Sequence, residues 1–208
     1  FTHTGEVAQA GFYKVTTGAG ASAVTTSMST TTRAGISTMA FPAGSDGHLV
    51  LKLNGSATTV DGSAANVIGN NEIIGSVTTG HFCGQSAAAE NNYPLHFDLR
   101  FQRPFTASHV VGTSANGGPG VSYTSDANAV QNLGAEIPGW SLRAVRTAAR
   151  QAWNTVLGKV EIGGGTHDQQ VQFYTAMYHA LLHPNAFSDV NGQYMGFDNV
   201  IHTADPGH

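Results

Sequence analysis

The hydrophobic period of this chain changes once, near Pro138, and that change restricts it to a β-rich part followed by a helical part. Before the change, short apolar runs alternate with turn material. The runs are Phe12-Tyr13-Lys14-Val15, Ser22-Ala23-Val24-Thr25, His48 to Leu53, Ile73 to Val77 and His96 to Phe101. In the last of these, Phe97, Leu99 and Phe101 alternate with polar residues, the pattern of a strand with one buried face. Thr17-Gly18-Ala19-Gly20, Pro42 to Gly47 and Asn116 to Gly120 supply the turns. Many short punctuated strands predict an antiparallel sandwich or barrel over residues 1 to about 135.

After Pro138 the spacing is helical. Ser141 is placed to cap a helix whose apolar positions are Leu142, Val145, Ala149, Ala152, Trp153 and Val156, with Gly158 as its stop. Arg143, Arg146 and Arg150 fall off that stripe and read as a solvated face. A short extended piece is expected at Lys159 to Ile162, followed by Gly163-Gly164-Gly165. Thr166 and Gln169 then have the spacing of a capping box, and Asp168 suits the positive end of a helix dipole.

The helix so opened is predicted to reach about Leu182 and stop before Pro184. Val171, Tyr174, Tyr178 and Leu181 form one apolar stripe, and Phe173, Met177 and Ala180 form another. A helix apolar on most sides is buried on most sides, so this one calls for further helices around it. The sequence ends about 25 residues later without them. It is therefore read as truncated.

Composition narrows the function classes. Charged residues make up 11% of the 208 residues, against roughly 25% in ordinary soluble domains. Polarity comes instead from Thr, Ser, Asn, Gln and 26 Gly, which suits a β-rich extracellular protein. The net charge of −4 leaves no basic stripe for nucleic acid. No apolar run approaches the ~20 residues of a membrane span. Cys83 is the only cysteine, so no internal disulfide exists. The ten His are scattered and do not pair with it in a zinc pattern.

Individual motifs have plain readings. Gly163 to Thr166 lacks the Lys-Ser/Thr ending of a phosphate loop and reads as a turn into a capped helix. Asp189, Asn191 and Asp198 do not have EF-hand spacing, and Ser188 to Gly192 reads as Asx turns. Cys83 sits in His81-Phe82-Cys83-Gly84, where the sequence establishes neither an activating base nor an electropositive setting, and it reads as a small half-buried side chain. Glycosidic hydrolysis needs two carboxyl groups across the bond. No pair among the thirteen acids is singled out by spacing, so no catalytic residue is nominated.

Several stretches together resemble glycoside hydrolase family 92. They are Phe1 to Ala8 with Gly11-Phe12-Tyr13-Lys14-Val15, then Thr31-Thr32-Arg33-Ala34-Gly35 with Phe41-Pro42, and Gly80 to Gly84 with Phe101 to Phe105. The most specific run is Gly164 to Asp198, which includes Thr166-His167-Asp168-Gln169-Gln170, Phe173 to His179, Leu182 to Asn185 and Phe187 to Gly192. Residues 106 to 135 carry the resemblance least.

The resemblance implies an N-terminal antiparallel β-sandwich, a linker helix and a truncated (α/α)6 barrel. The corresponding segments are 1–137 (incomplete at its N-terminus), 138–162 and 163–208. It implies an inverting, exo-acting α-mannosidase that acts on mannose-containing glycans with Ca2+, secreted or periplasmic. The catalytic carboxylates and calcium ligands would lie beyond this chain, in the rest of the barrel. Among the residues present, Asp198 matches a sugar contact, and Phe82 and Cys83 match a segment near the pocket. Met195 stands where the family usually has Arg, so a charged contact or loop brace is missing there. The alternative is a non-catalytic carbohydrate-binding β-sandwich.

Overall fold

A computed structural model describes residues 3–53, 59–80, 92–108, 121–122, 124–182 and 186–205. The chain divides into two compact units, each drawn from separate stretches of sequence.

The first unit comprises residues 1–31, 36–47 and 141–186. Its sheet has the order β1 (Val7–Gln9), β2 (Phe12–Thr17), β3 (Val24–Thr30) and β4 (Gly35–Ala40). The β1–β2 hairpin turns through Ala10 and Gly11, because Gln9 pairs with Phe12. Gly11 sits at φ 76°, as two-residue hairpin loops require. Its carbonyl accepts a bond from the buried Ser29 hydroxyl at 2.6 Å.

Helix α2 (Leu142–Leu157) packs on β2 and β3. Ser141 accepts the Ala144 N–H at its start, and Gly158 closes it, as the sequence predicts. Val145 is buried, as are Phe12 of β2 and Ile36 of β4. Arg146 departs from its expected solvated role. Its guanidinium lies 3.7 Å from the centre of the Phe12 ring and donates to Gln9 at 3.1 Å. Its neighbours Arg143 and Arg150 are exposed.

Helix α3 (His167–Ala180) begins with the predicted capping box: the Thr166 hydroxyl accepts from Gln169 N–H and the Gln169 side chain accepts from Thr166 N–H. Trp153 of α2 meets Tyr178 of α3, with ring centres 4.6 Å apart. Beyond that flank α3 is open. None of its residues is buried, and Val171 and Phe173 are among the exposed large apolar side chains.

The second unit comprises residues 32–35, 48–140 and 187–208. Its antiparallel sheet has the order β5 (Val60–Ile68), β6 (Glu72–Thr79), β7 (Tyr93–Arg100) and β8 (Val121–Ser122). The expected strand at His48 to Leu53 is absent: the segment is irregular, with Leu53 buried and Val50 86% exposed. An unexpected helix, α1 (Asp126–Glu136), lies inside the stretch read as β. Ser125 caps it by accepting the Asn128 N–H.

Helix α1 packs on β7, and this changes the reading of that strand. Phe97 is buried as predicted, but Asp98 on the opposite face has no exposed surface either. His96, on the face of Asp98, meets the Asp126 carboxylate of α1 at 2.6 Å. A hairpin of β9 (Gln193–Met195) and β10 (Ile201–Thr203) completes the unit. Antiparallel sheets followed by helices are the predicted class, consistent with a β-sandwich leading into a helical barrel. No helix among the described residues is long and apolar enough to cross a membrane.

Candidate functional site

Asp198, the sugar contact inferred from the sequence, lies in the turn of the β9–β10 hairpin. Met195 pairs with Ile201 and Tyr194 with His202, leaving Gly196 to Val200 as the connecting turn. Two backbone bonds shape that turn, Gly196 N–H to Val200 O at 2.9 Å and Asn199 N–H to Gly196 O at 3.0 Å. Asn199 takes φ 59°, a left-handed conformation that Asn tolerates better than most residues.

The Asp198 carboxylate is held from two directions. Val200 N–H donates to Oδ1 at 3.1 Å, and His202 Nε2 lies 3.0 Å from both oxygens. Both bonds favour the ionised form, the His202 contact most, and hold this carboxyl below its ordinary range. The side chain is still 56% exposed, so the group is charged, oriented and accessible. The His202 ring stacks on Tyr194 at 5.6 Å, and Tyr194 meets Phe187 at 6.4 Å. Phe197, next in sequence to Asp198, is fully exposed.

Below the hairpin the chain is anchored by a buried carboxylate. Asp189 Oδ2 accepts from Ser122 Oγ at 2.8 Å, Thr124 Oγ1 at 2.5 Å and Asn128 Nδ2 at 2.9 Å. Its Oδ1 accepts from Asn132 Nδ2 at 2.7 Å. Asn132 Oδ1 in turn accepts Val190 N–H, so α1 grips both side chain and backbone of the loop. Asn191 makes the expected Asx turn, accepting Gln193 N–H at 3.0 Å. Arg33 adds a clamp: it donates to Glu136 at the end of α1 and to the carbonyl of Ser188.

The sequence reading missed Asn128, Asn132 and His202. The two asparagines are four apart, hence on one helix face, and Asn is a poor interior helix residue. That combination is the signal that they serve a polar partner. Phe82 and Cys83, the other two inferred pocket residues, lie outside the described residues.

A second ionisable cluster sits on β6 and β7. Arg100 reaches Glu72 at 3.2 Å and Asp98 at 2.9 Å. Burial raises the Asp98 carboxyl to about 6, with Arg100 opposing and Glu72 adding to the rise. Asp98 has no exposed surface, so a sugar oxygen has no access to it.

The described residues do not fit a calcium site. No group of three or more His, Cys, Asp or Glu among them is arranged to hold a metal. Asp189, the most enclosed acid of the loop, has its oxygens directed at hydroxyl and amide donors rather than at a vacancy of cation size.

Residues 128–208 match the family model for the glycosyl hydrolase family 92 catalytic domain. No curated protein matches the chain. The fold is similar to the family GH92 α-mannosidase BT3965 from Bacteroides thetaiotaomicron, at 18% identity and a TM-score of 0.73, over 98% of this chain and 31% of that one. It is also similar to the GH92 family glycosyl hydrolase ccman5, at 24% identity and a TM-score of 0.78, over 99% of this chain and 32% of that one. A third match is the family GH92 inverting mannosidase BT2199 from Bacteroides thetaiotaomicron VPI-5482, at 20% identity and a TM-score of 0.70, over 98% and 30%. The chain thus spans about a third of the length of the solved structures it matches. The family 92 resemblance read from the sequence is borne out: a family model covers the helical part, and family 92 folds cover nearly all of the chain.

Proposed function

We propose that this chain is one part of a secreted or periplasmic glycoside hydrolase that removes terminal α-linked mannose from glycans with inversion. In this reading the chain supplies the β-rich part and one pocket loop. The two carboxyl groups that inversion needs, one to protonate the leaving oxygen and one to activate water, belong to the parent protein outside this chain. Calcium, where the parent uses it, would polarise and hold sugar hydroxyls. Its ligands would likewise come from elsewhere, since the residues described here do not form a cation site.

What supports the reading is the family 92 catalytic-domain match over residues 128–208, the stretch that carries the exposed, ionised Asp198. An oriented carboxylate that accepts hydrogen bonds suits the hydroxyls of a pyranose.

Ligand-observed NMR with methyl α-mannoside, together with an aryl α-mannoside hydrolysis assay, tests the proposal. The 208-residue chain is expected to bind the mannoside weakly, to lose binding on Asp198→Ala, and to release no product with or without calcium. Unchanged binding in Asp198→Ala removes Asp198 from the pocket. Calcium-dependent hydrolysis by this chain overturns the placement of the catalytic groups elsewhere.

A further inference from the structure

We infer that His202 is the positioning residue of the sugar-binding carboxylate: it fixes the rotation of Asp198 and leaves acceptor capacity on the exposed carboxylate for a mannose hydroxyl. The inference rests on the glycan reading given above and goes beyond it, since nothing so far assigns His202 a role.

The hydrogen-bond count gives the orientation. An ionised carboxylate offers about four acceptor sites. On Asp198, Val200 N–H takes one on Oδ1, and the His202 Nε2 proton is shared between Oδ1 and Oδ2 at 3.0 Å each. Because the carboxylate only accepts, Nε2 must be the protonated nitrogen of His202. What remains is acceptor capacity on a carboxylate whose side chain is more than half exposed.

Three features of the hairpin serve the pair. His202 is stacked on Tyr194 at an interplanar angle of 29°, which holds the ring in the plane it needs. Register places the two opposite one another on β9 and β10. Gly196 leaves the required space. A Cβ there would lie 2.4 Å from Asp198 Oδ1 and 2.7 to 2.8 Å from the His202 ring, so any larger residue forces the pair apart.

Energy alone does not explain this construction. An exposed hydrogen-bonded pair contributes little to stability because water competes for both partners. A turn that reserves a glycine, a ring stack and a backbone donor for such a pair is spending them on geometry. Geometry is what a ligand hydroxyl reads.

The test uses the 208-residue chain and four variants. His202→Phe keeps a ring on Tyr194 and removes the donor. His202→Gln restores a donor. Gly196→Ala forces the pair apart, and Asp198→Asn is the reference for loss of the carboxylate. Methyl α-mannoside binding is expected to fall about tenfold in His202→Phe and Gly196→Ala, and to recover largely in His202→Gln, as loss and return of one charge-assisted contact dictates. Thermal unfolding of His202→Phe should match the parent.

Full binding by His202→Phe while Asp198→Asn loses it overturns the positioning role and leaves the glycan reading intact. If the parent chain does not bind the mannoside, the glycan reading fails; if Asp198→Asn binds as well, Asp198 is not the sugar contact; in either case a second readout judges His202. That readout is the carboxyl 13C titration of Asp198. A midpoint below the usual carboxylate range that rises in His202→Phe upholds the positioning, and an unmoved midpoint overturns it.

Discussion

Asn132 and Asp189 meet at 2.7 Å inside the second unit, both nearly or wholly removed from solvent, and no cationic side chain among the described residues pairs with that carboxylate. Its charge is balanced by hydroxyl and amide donors alone. Buried charge without its partners is costly, so the relationship is all-or-none.

Removing the carboxylate should therefore be more damaging than removing any one donor. Asp189→Ala strands donors from Ser122, Thr124, Asn128 and Asn132 and is expected to cost roughly 3–5 kcal/mol. Asn132→Ala leaves Oδ1 unmatched and should cost less, about 1–3 kcal/mol. Urea unfolding at neutral pH compares the two. Equal small losses would mean that the loop is held mainly by Arg33 at Ser188 and Glu136.

The Asp98 carboxyl gives the second unit a pH dependence of definite sign. Its folded value, about 6, lies above the ordinary 3.8. The folded state therefore holds its proton where the unfolded chain has already lost it. Stability from this group is greatest below about pH 4, falls as pH rises to about 6, and is level above that. The full swing is about 3 kcal/mol at most. Neither carboxyl oxygen makes a well-formed hydrogen bond, although Arg100 lies 2.9 Å away, so charge is offset without good alignment. Asp98→Asn should flatten this part of the stability profile measured by chemical denaturation from pH 4 to 7.5. A profile identical to the parent's would show that the Asp98 carboxyl titrates alike in the folded and unfolded chain, and that its burial does not raise it.

Local signals were readable in the sequence and long-range ones were not. The Thr166–Gln169 box, the Ser141 cap and the Gly158 stop depend on neighbours within four residues, and all three stand where the pattern puts them. The apolar alternation of β7 identified the Phe97 face. Helix α1 was invisible because Asn128, Asn132 and Gly134 weaken its helical pattern, and its stability comes from a carboxylate 57 residues further along. The His48 to Leu53 run misled for the opposite reason: strand composition alone does not make a strand, and this segment is irregular. Asp198 is nominated through family resemblance, whereas His202 follows only from the hairpin register that brings it back beside Asp198.

Close packing in the first unit can be separated from backbone strain by two glycines. Gly5 and Gly11 have nearly equal left-handed φ values, 79° and 76°. A Cβ on Gly5 meets nothing within 4 Å, whereas one on Gly11 lies 2.6 Å from the Ala149 Cβ of α2. Gly5→Ala should therefore cost only the conformational term, about 1 kcal/mol. Gly11→Ala adds displacement of α2 from the β1–β2 turn and should cost about 2–4 kcal/mol in all. Thermal unfolding of the two variants gives the difference directly. A Gly11→Ala variant no less stable than Gly5→Ala would mean that α2 is free to shift on the sheet, and that its contact at Ala149 contributes nothing to holding the unit together.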